Sequence, residues 1–292
     1  MQNGRSGLES GTSGSSRQVV PGRRRRDQSF ERMPRWLERV QGVILDLDGT
    51  VYDDGGLLPG AREAVKALRS AGLRLAFATN TSRHPRGALM ARLRSLGVPV
   101  SLDEVITAPR AAAIWLAEQN VSRISLHIAG QTIEEFAAFE LDERSPEAVV
   151  IGDLGDKWSV DRMNRVFRHV LAGARLVALQ KNRYRTRGGA LCLDAGPFVS
   201  AIEYATDVIA IVAGKPSGRY FQAAATLLDL PPEELVVVGD DLRADVEGAH
   251  AAGASSILVK TGKFSDADLT DTRVRPGLVL DSIADLPAAL QR

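Results

Sequence analysis

The feature that most constrains the fold is an apolar run that ends in two aspartates, in the sequence ILDLDGTVY at residues 44–52. Residues 43–47 are mostly apolar, are rich in β-branched side chains and end close to a glycine, a pattern that predicts a buried strand. Side chains two residues apart on a strand point to the same side. The sequence therefore predicts that Asp46 and Asp48 converge at the carboxyl end of a strand, where open α/β sheets bind their ligands.

The spacing of the two aspartates also indicates their chemistry. Two carboxylates that face each other repel, so the pair is costly unless a cation or a shared proton compensates it. The pair is therefore suited to a metal site and to covalent chemistry. The competing interpretation is a strand that ends in a polar turn, because Asp and Gly are common turn residues. Segments elsewhere in the chain favour the first interpretation.

Two later apolar runs end in groups that suit phosphate. Residues 73–79 end in Thr79, and Asn80 follows. Hydroxyl and N–H groups at a strand end that leads into a helix can hold phosphate oxygens. Residues 208–212 precede Lys215, which stands between a glycine and a proline and can present a fixed positive charge to phosphate. Each signal is weak alone, because such residues also cap helices or lie in solvated loops.

A fourth apolar run, at residues 235–238, ends in a cluster of carboxylates. Asp240 and Asp241 follow it after one glycine, and Asp245 stands further on. Carboxylate oxygens are the ligands that a hard cation such as Mg²⁺ prefers. The chain therefore carries a carboxylate pair, a hydroxyl, a lysine and a carboxylate cluster, each at the end of an apolar run. This order argues against the polar-turn interpretation.

The set of motifs resembles that of the haloacid dehalogenase (HAD) superfamily of hydrolases, over nearly all of residues 41–290. The resemblance extends to subfamily IIA and, within it, to the phospholysine phosphohistidine inorganic pyrophosphate phosphatase-like branch. The finer match rests on residues 179–184, 194–206 and 238–249. The superfamily motifs are DLDGT at 46–50, TN at 79–80, GKP at 214–216 and GDD at 239–241 followed by Asp245.

The resemblance implies a phosphatase that works through an aspartyl-phosphate intermediate. Asp46 would attack phosphorus as the nucleophile. Asp48 would protonate the leaving group and then help to activate the water that hydrolyses the intermediate. The cofactor would be Mg²⁺, held by the side chains of Asp46 and Asp240 and by the backbone carbonyl of Asp48.

The remaining motif residues are given supporting roles by the same resemblance. Thr79, Asn80 and Lys215 would neutralise and orient the phosphoryl oxygens. The roles of Asp241 and Asp245 stay open. One of the two supports the metal through water or orients Lys215, and the other caps the following helix.

The reaction class follows in part from Asp48. A dehalogenase has no leaving-group oxygen to protonate, and that branch of the superfamily lacks an acid at this position. A P-type pump needs membrane spans of roughly 20 apolar residues, which the sequence does not contain. We therefore expect hydrolysis of pyrophosphate, a phosphoamide or another small phosphorylated metabolite. One alternative is a sugar-phosphate or nucleotide phosphatase of the same architecture. The other is a catalytically weak regulatory protein that binds a phosphorylated ligand.

Apolar runs that alternate with helical patterns predict an α/β fold with a three-layer, Rossmann-like HAD core and a mostly parallel sheet. About 130 residues separate Thr79 from Lys215, too many for one crossover connection, and they show an alternation of their own. We therefore expect a core at 39–106 and 191–292 and an inserted α/β cap domain at 107–190. The predicted core strands are 43–47, 73–78, 208–212, 235–238 and 256–259.

Two loops of the predicted cap are candidates for substrate specificity, because a cap excludes water and adds contacts beyond the phosphate. The loop at 152–158 could bring Asp153 and Asp156 towards the site. Lys181 and Arg183, just after another predicted strand, could bind an anionic group of the substrate. The alternative for both loops is ordinary surface polarity.

Composition limits the partners. The chain has 37 Lys and Arg residues against 36 Asp and Glu residues, so no overall field favours nucleic acid. No apolar stretch suits a membrane span or a secretory signal. The single cysteine, Cys192, excludes an internal disulfide and fits a reducing, cytoplasmic location. A homodimer is left open. Residues 1–38 begin with a Gly- and Ser-rich stretch, contain four successive arginines, and are expected to be disordered.

Overall fold

The computed structural model of the chain describes residues 34–128, 130–187, 190–270 and 273–291. The predicted disordered tail, residues 1–38, therefore lies outside the described residues except at its end. At that end the structure departs from the expectation of disorder, because Arg35–Arg39 forms a 3₁₀ turn that buries Leu37. This turn leads directly into the first strand.

The described residues form strands and helices that alternate along most of the chain. The strands are β1 (Gly42–Asp46), β2 (Tyr52–Asp53), β3 (Gly56–Leu57), β4 (Arg74–Thr79), β5 (Val105–Thr107), β6 (Arg123–His127), β7 (Glu140–Leu141), β8 (Ala148–Ile151), β9 (Arg175–Ala178), β10 (Tyr184–Arg187), β11 (Ala190–Leu193), β12 (Ile211–Val212), β13 (Leu235–Gly239), β14 (Ser255–Val259) and β15 (Leu278–Leu280). The helices are α1 (Ala61–Ser70), α2 (Arg86–Ser95), α3 (Ala108–Glu118), α4 (Val160–Leu171), α5 (Ala195–Thr206), α6 (Gly218–Leu228), α7 (Gly248–Ala252) and α8 (Leu286–Leu290).

Two parallel sheets organise these elements. Among the described residues, six strands form the larger sheet in the order β15-β14-β13-β1-β4-β5, and every pair in it is parallel. Five strands form the smaller sheet in the order β12-β9-β8-β6-β7, again all parallel. The predicted α/β fold with a mostly parallel sheet is confirmed.

The larger sheet is buried on both faces, as parallel sheets usually are. Alternate residues of β1 supply the two sides: Val43 and Leu45 pack with α1 and α2, whereas Ile44 packs with α6 and α7. This explains why β1 appears in the sequence as a continuous apolar run rather than as an alternating one. Asp46, its last residue, is thereby held at the carboxyl edge of the sheet.

Helix α3 is shared by the two sheets. Its Ala111 packs in the cluster beneath the larger sheet, whereas Ala112 and Leu116 pack in the cluster beneath the smaller sheet. Thr107 caps the start of the helix, because its Oγ1 accepts a hydrogen bond of 3.3 Å from Arg110 N. The helix therefore has one side on each core.

One predicted core strand belongs to the other sheet. The apolar run 208–212 was expected in the core sheet, but its strand, β12, pairs in parallel with β9 at the edge of the smaller sheet. The physical reason is that β9 offers an open edge to the chain as it leaves α5, which also packs on the smaller sheet. Because of this pairing, the smaller layer ends at residue 212, whereas the predicted cap ended at residue 190.

The described residues contain no helix that is both long enough and apolar enough to cross a membrane. The longest helices, α4 and α5, have 12 residues each.

Tyr220 joins α6 to the ends of two strands, and we expect its hydroxyl to stabilise the fold. The fully buried hydroxyl lies 3.0 Å from Thr79 O and 2.9 Å from Ile106 O. Tyr220→Phe removes this hydrogen bond and should lower the free energy of unfolding by about 1–2 kcal/mol. Urea denaturation measures the change. Tyr204→Phe is the matched control, because Tyr204 is 90% exposed and should lose almost nothing.

Candidate active site

The predicted catalytic residues meet at the carboxyl edge of the larger sheet. Asp46 ends β1 and Thr79 ends β4, the neighbouring strand on one side. Asp240 follows β13, the neighbour on the other side. Because the three strands run parallel, their ends bring these side chains together from positions far apart in the sequence.

Lys215 is the central charge of the site. Its Nζ donates hydrogen bonds to Asp46 Oδ1 and, at 2.8 Å, to Asp245 Oδ1. The side chain is almost fully buried. Burial disfavours the charged ammonium, but the carboxylates of Asp245 and Asp46 outweigh burial and hold the pKa of Lys215 well above its usual value. The lysine therefore stays positively charged inside the site.

Asn80 fixes the loop that carries this lysine. Its Oδ1 accepts a hydrogen bond from Lys215 N at 2.8 Å, and its Nδ2 donates one to Lys215 O at 3.0 Å. The preceding residue must be small, because a Cβ on Gly214 would lie 2.7 Å from Asn80 Oδ1 and 2.3 Å from Leu179 O. Both polar atoms of the Asn80 amide thus form hydrogen bonds with the backbone of Lys215.

Asp48 lies in a tight turn beside Asp46. Leu47 O accepts hydrogen bonds from three successive N–H groups of this turn, and Gly49 has a φ of +87°. The side chain of Asp48 is exposed, and its Oδ2 accepts a hydrogen bond of 3.4 Å from Thr79 Oγ1. An exposed carboxylate next to the buried Asp46 is placed to exchange protons with a bound molecule.

A loop after β14 completes the site, and sequence reasoning missed it. Lys263 N donates a hydrogen bond of 2.6 Å to Asp240 Oδ2, and Thr261 Oγ1 donates one of 2.5 Å to Gly49 O. A Cβ on Gly262 would lie 1.9 Å from Asp240 Oδ2. The only sequence signal was a Thr-Gly-Lys tripeptide close behind an apolar run.

The structure separates the contacts of Asp241 and Asp245. Asp241 Oδ1 accepts hydrogen bonds from Arg243 N and Ala244 N, so this residue caps the π-helical turn at Leu242–Glu247. One carboxylate oxygen of Asp245 accepts a hydrogen bond from Lys215 Nζ, and the other accepts one of 3.2 Å from Asp241 N. Asp245 therefore orients the lysine, one of the roles that the sequence left open.

The carboxylates of the site are crowded and raise one another's pKa values. Burial raises the pKa of Asp46, and the charges of Asp240 and Asp48 add to this effect while Lys215 opposes it. Burial likewise raises the pKa of Asp240, against a hydrogen bond from Lys263 N. Burial raises the pKa of Asp245 to about 6, with Lys215 again opposing. The cluster therefore carries more negative charge than its lysine can neutralise.

This crowding fits a divalent cation. Among the described residues, Asp46, Asp240 and Asp245 each offer a ligand atom within 4.8 Å of the others. The donors are all carboxylate oxygens, which suit Mg²⁺. The predicted side-chain ligands were Asp46 and Asp240, with the backbone of Asp48, and Asp245 is an addition that already has both oxygens in hydrogen bonds.

A cavity of about 260 Å³ opens above these groups. It is lined by Asp46, Asp48, Thr79, Asn80, Thr81, Asn182, Lys215, Asp240, Asp241, Ala244, Asp245 and Lys263. The predicted residues of the core thus share one cavity, and Asn182 reaches it from the loop after β9. A larger groove of about 410 Å³ lies near the opposite edge of the sheet, and it has no titratable side chain in its lining.

Only one of the four predicted specificity residues borders a cavity next to this site. Asp153 is buried and forms ion pairs with Arg83 and Arg185. Lys181 instead turns towards α5, where its Nζ pairs with Glu203 Oε2 at 2.7 Å. Lys181 therefore does not line the cavity that its neighbour Asn182 lines, and its role in specificity stays a prediction.

Asp156 and Arg183 are exposed and line neither the catalytic cavity nor the cavity beside it. Their role in specificity likewise stays a prediction. Sequence reasoning missed Arg83 and Arg185, which do line the neighbouring cavity. Loop arginines carry no signal that separates these two from the many others in the chain.

Two family models match the chain. A haloacid dehalogenase-like hydrolase model matches residues 43–140, and a HAD-hydrolase-like model matches residues 212–286. The two matches contain Asp46, Thr79, Lys215 and Asp240, the residues gathered at the edge of the larger sheet.

Curated relatives match over most of their length. Mouse haloacid dehalogenase-like hydrolase domain-containing protein 2 is 40% identical over 243 residues, which are 83% of this chain and 93% of the mouse protein. Zebrafish phospholysine phosphohistidine inorganic pyrophosphate phosphatase is 38% identical over 271 residues, which are 90% of this chain and 96% of the relative.

Solved structures share the whole architecture. The 4-nitrophenylphosphatase of Thermotoga maritima aligns with a TM-score of 0.78 and 30% identity, covering 88% of this chain and 99% of that protein. NagD from E. coli K-12 aligns with a TM-score of 0.77 and 29% identity, covering 84% and 98%.

These similarities agree with the geometry of the site. The predictions of the superfamily and its IIA-type resemblance are confirmed, and so is the predicted enzyme class, a hydrolase of the HAD phosphatase type. With the motif residues brought to one cavity at the edge of a parallel sheet, the chain belongs to the family of haloacid dehalogenase-like hydrolases.

Proposed function

We propose that this protein is a Mg²⁺-dependent phosphatase that hydrolyses pyrophosphate, a phosphoamide or another small phosphorylated metabolite through an aspartyl-phosphate intermediate. The observation that carries the proposal is the contact of Lys215 with Asp46 and Asp245 beneath a cavity that Asp48 also lines. This arrangement supports the roles of Asp46 as nucleophile, Lys215 as a positive charge for phosphoryl oxygens and Asp48 as acid. The names of the zebrafish relative and of the Thermotoga structure support a phosphate substrate.

The first step forms a bond from a carboxylate oxygen of Asp46 to phosphorus and breaks the bond from phosphorus to the leaving group. Lys215 neutralises charge on the phosphoryl oxygens as the leaving group departs. Asp48 transfers its proton to the leaving atom, so that the leaving group does not depart as an anion. The products are an aspartyl phosphate on Asp46 and the protonated leaving group.

In the second step, water attacks the phosphorus of the aspartyl phosphate and the bond to Asp46 breaks. Asp48, now ionised, accepts a proton from that water and returns to its starting state. Orthophosphate leaves and the Asp46 carboxylate is regenerated. Thr79 lies beside Asp48, because its Oγ1 donates a hydrogen bond of 3.4 Å to Asp48 Oδ2.

The proposed Mg²⁺ would be held by the side chains of Asp46 and Asp240 and by the backbone carbonyl of Asp48. When bound, it would supply positive charge that offsets the repulsion among the carboxylates and that screens the approaching phosphate from Asp46. The hydrogen bond from Lys263 N keeps Asp240 in position for this role.

The smaller sheet with its helices is proposed as the cap. Asn182, after β9, already lines the catalytic cavity, and its layer would exclude water while the phosphoryl group is transferred. The cytoplasmic location is likewise a proposal, which rests on the single cysteine.

Replacement of the nucleophile tests the proposed covalent step. Asp46→Asn should lower the rate of phosphate release by about 10⁴-fold or more, because the amide is a poor nucleophile. Phosphate release with p-nitrophenyl phosphate and pyrophosphate measures the loss, and circular dichroism checks the fold. Asp281→Asn is the matched control, since that side chain is 83% exposed and pairs with Lys260 at the protein surface. Turnover that survives in Asp46→Asn would refute the assignment.

Replacement of the acid and base should separate the two steps. Asp48→Asn should lower steady-state turnover by about 10²–10⁴-fold. With p-nitrophenyl phosphate the leaving group needs little protonation, so the first step should stay faster than the second. Stopped-flow absorbance should then show a burst of p-nitrophenol close to one equivalent per enzyme. A slow release without any burst would contradict this expectation, because it would show that the loss of Asp48 makes the first step rate-limiting.

Metal dependence tests the proposed ligands. EDTA should abolish phosphate release and Mg²⁺ should restore it. Asp240→Asn should raise the Mg²⁺ concentration for half-maximal activity about tenfold or more, because a charged ligand is lost. Asp245→Asn is the matched comparison and should change this concentration less, since Asp245 acts through Lys215. Equal shifts in both variants would show that Asp245 is also a ligand.

A further inference from the structure

A second cavity, of about 190 Å³, adjoins the catalytic cavity. The two share Asn80, Thr81 and Asn182 in their linings, so the second cavity continues from the space beside Lys215. Arg83, Arg185 and Asp153 line the second cavity but not the catalytic cavity, and they also border a further cavity of about 320 Å³. The leaving group of a phosphorylated substrate would occupy this space.

Three charged side chains from separate elements meet there. Arg83 follows β4, Asp153 follows β8 and Arg185 lies in β10. Asp153 Oδ2 accepts a hydrogen bond from Arg83 Nε and lies 3.4 Å from Arg185 Nε. One carboxylate thus faces two guanidinium groups, which leaves one positive charge in excess within this group of three.

A further carboxylate, Asp194, also borders the cavity but is engaged elsewhere. Its Oδ1 accepts hydrogen bonds from Gln180 Nε2 at 2.6 Å and from Ala195 N at 2.8 Å, at the start of α5. The amino end of that helix favours its negative charge. Asp194 therefore supports the wall of the cavity and leaves the two arginines to face a ligand.

Arg185 has donors that no described residue satisfies. Its side chain is only 14% exposed. Within the described part of the chain, its buried Nε and Nη1 have no hydrogen-bond partner, although Nε is within ion-pair distance of Asp153. Buried donors without partners are rare in native proteins and call for a bound acceptor. A planar guanidinium is suited to the paired oxygens of a carboxylate or a phosphate.

From these observations we infer that the substrate carries a second anionic group on its leaving group, and that Arg83 and Arg185 bind it. The inference rests on the proposed function and narrows it. Pyrophosphate and esters with a carboxylate or phosphate near the phosphoryl group fit, whereas a phosphoamide whose leaving group is a cationic amine is disfavoured by the two guanidinium groups.

Matched pairs of substrates test this inference. In the first pair, 2-phosphoglycolate has a carboxylate where 2-hydroxyethyl phosphate has a hydroxymethyl group. In the second pair, pyrophosphate has a phosphoryl group where p-nitrophenyl phosphate has an aromatic ring. The anionic member of at least one pair should be preferred in kcat/KM, and the pair that shows it distinguishes a carboxylate from a phosphoryl group. Arg185→Gln should raise the KM of the preferred anionic compound about tenfold relative to its partner, with little change in the kcat ratio.

Two further variants guard against a purely structural effect. Arg83→Gln alters a side chain that is 43% exposed, and it should shift the same KM ratio in the same direction. Arg175→Gln removes an equal charge at the exposed start of β9 and should leave all constants unchanged. A preference for the compounds without a second anionic group would overturn the inference alone. A KM rise shared equally by both members of each pair would do the same. Absence of phosphate release from every compound would overturn the proposed function, and this inference with it.

Discussion

The structure of the site depends on one buried lysine held between two carboxylates. Lys215 contacts Asp46 and Asp245, and the three residues come from different parts of the chain. A buried charge is tolerated only when it is paired and hydrogen-bonded, so loss of either partner leaves the other charges uncompensated. This requirement explains the neighbouring details: Asn80 grips the lysine backbone, and Gly239 lacks a Cβ that would lie 2.1 Å from Asp245 Oδ2.

The core of the site was predictable because its residues end apolar strands. Asp46, Thr79 and Asp240 each follow a run whose burial is evident from composition, and parallel strands bring such ends together. The roles of Asp241 and Asp245 were not predictable, because both follow the same strand. Which one caps the π-helical turn and which one reaches Lys215 depends on the path of that turn.

The errors have a common physical origin. The apolar run 208–212 indicates a strand, but periodicity contains no information on which sheet edge accepts it. Likewise, the side of a loop to which Lys181, Arg183 and Arg185 point is decided by the turn between β9 and β10. Lys181 has Glu203 of α5 as a neighbour, whereas Arg185 is directed to Asp153. Charge in a loop predicts neither partner.

Helix α3 has a consequence for how this fold can diversify. Its small side chains pack against the larger sheet on one side and against the smaller sheet on the other. Ala111 and Ala112 are adjacent in sequence, yet they belong to different hydrophobic clusters. A bulkier residue at either position would wedge the layers apart and withdraw Asn182 from the catalytic cavity. The exposed loops of the smaller layer can therefore change in sequence without altering the spacing between the layers, which is set by a stripe of alanines that lines neither cavity.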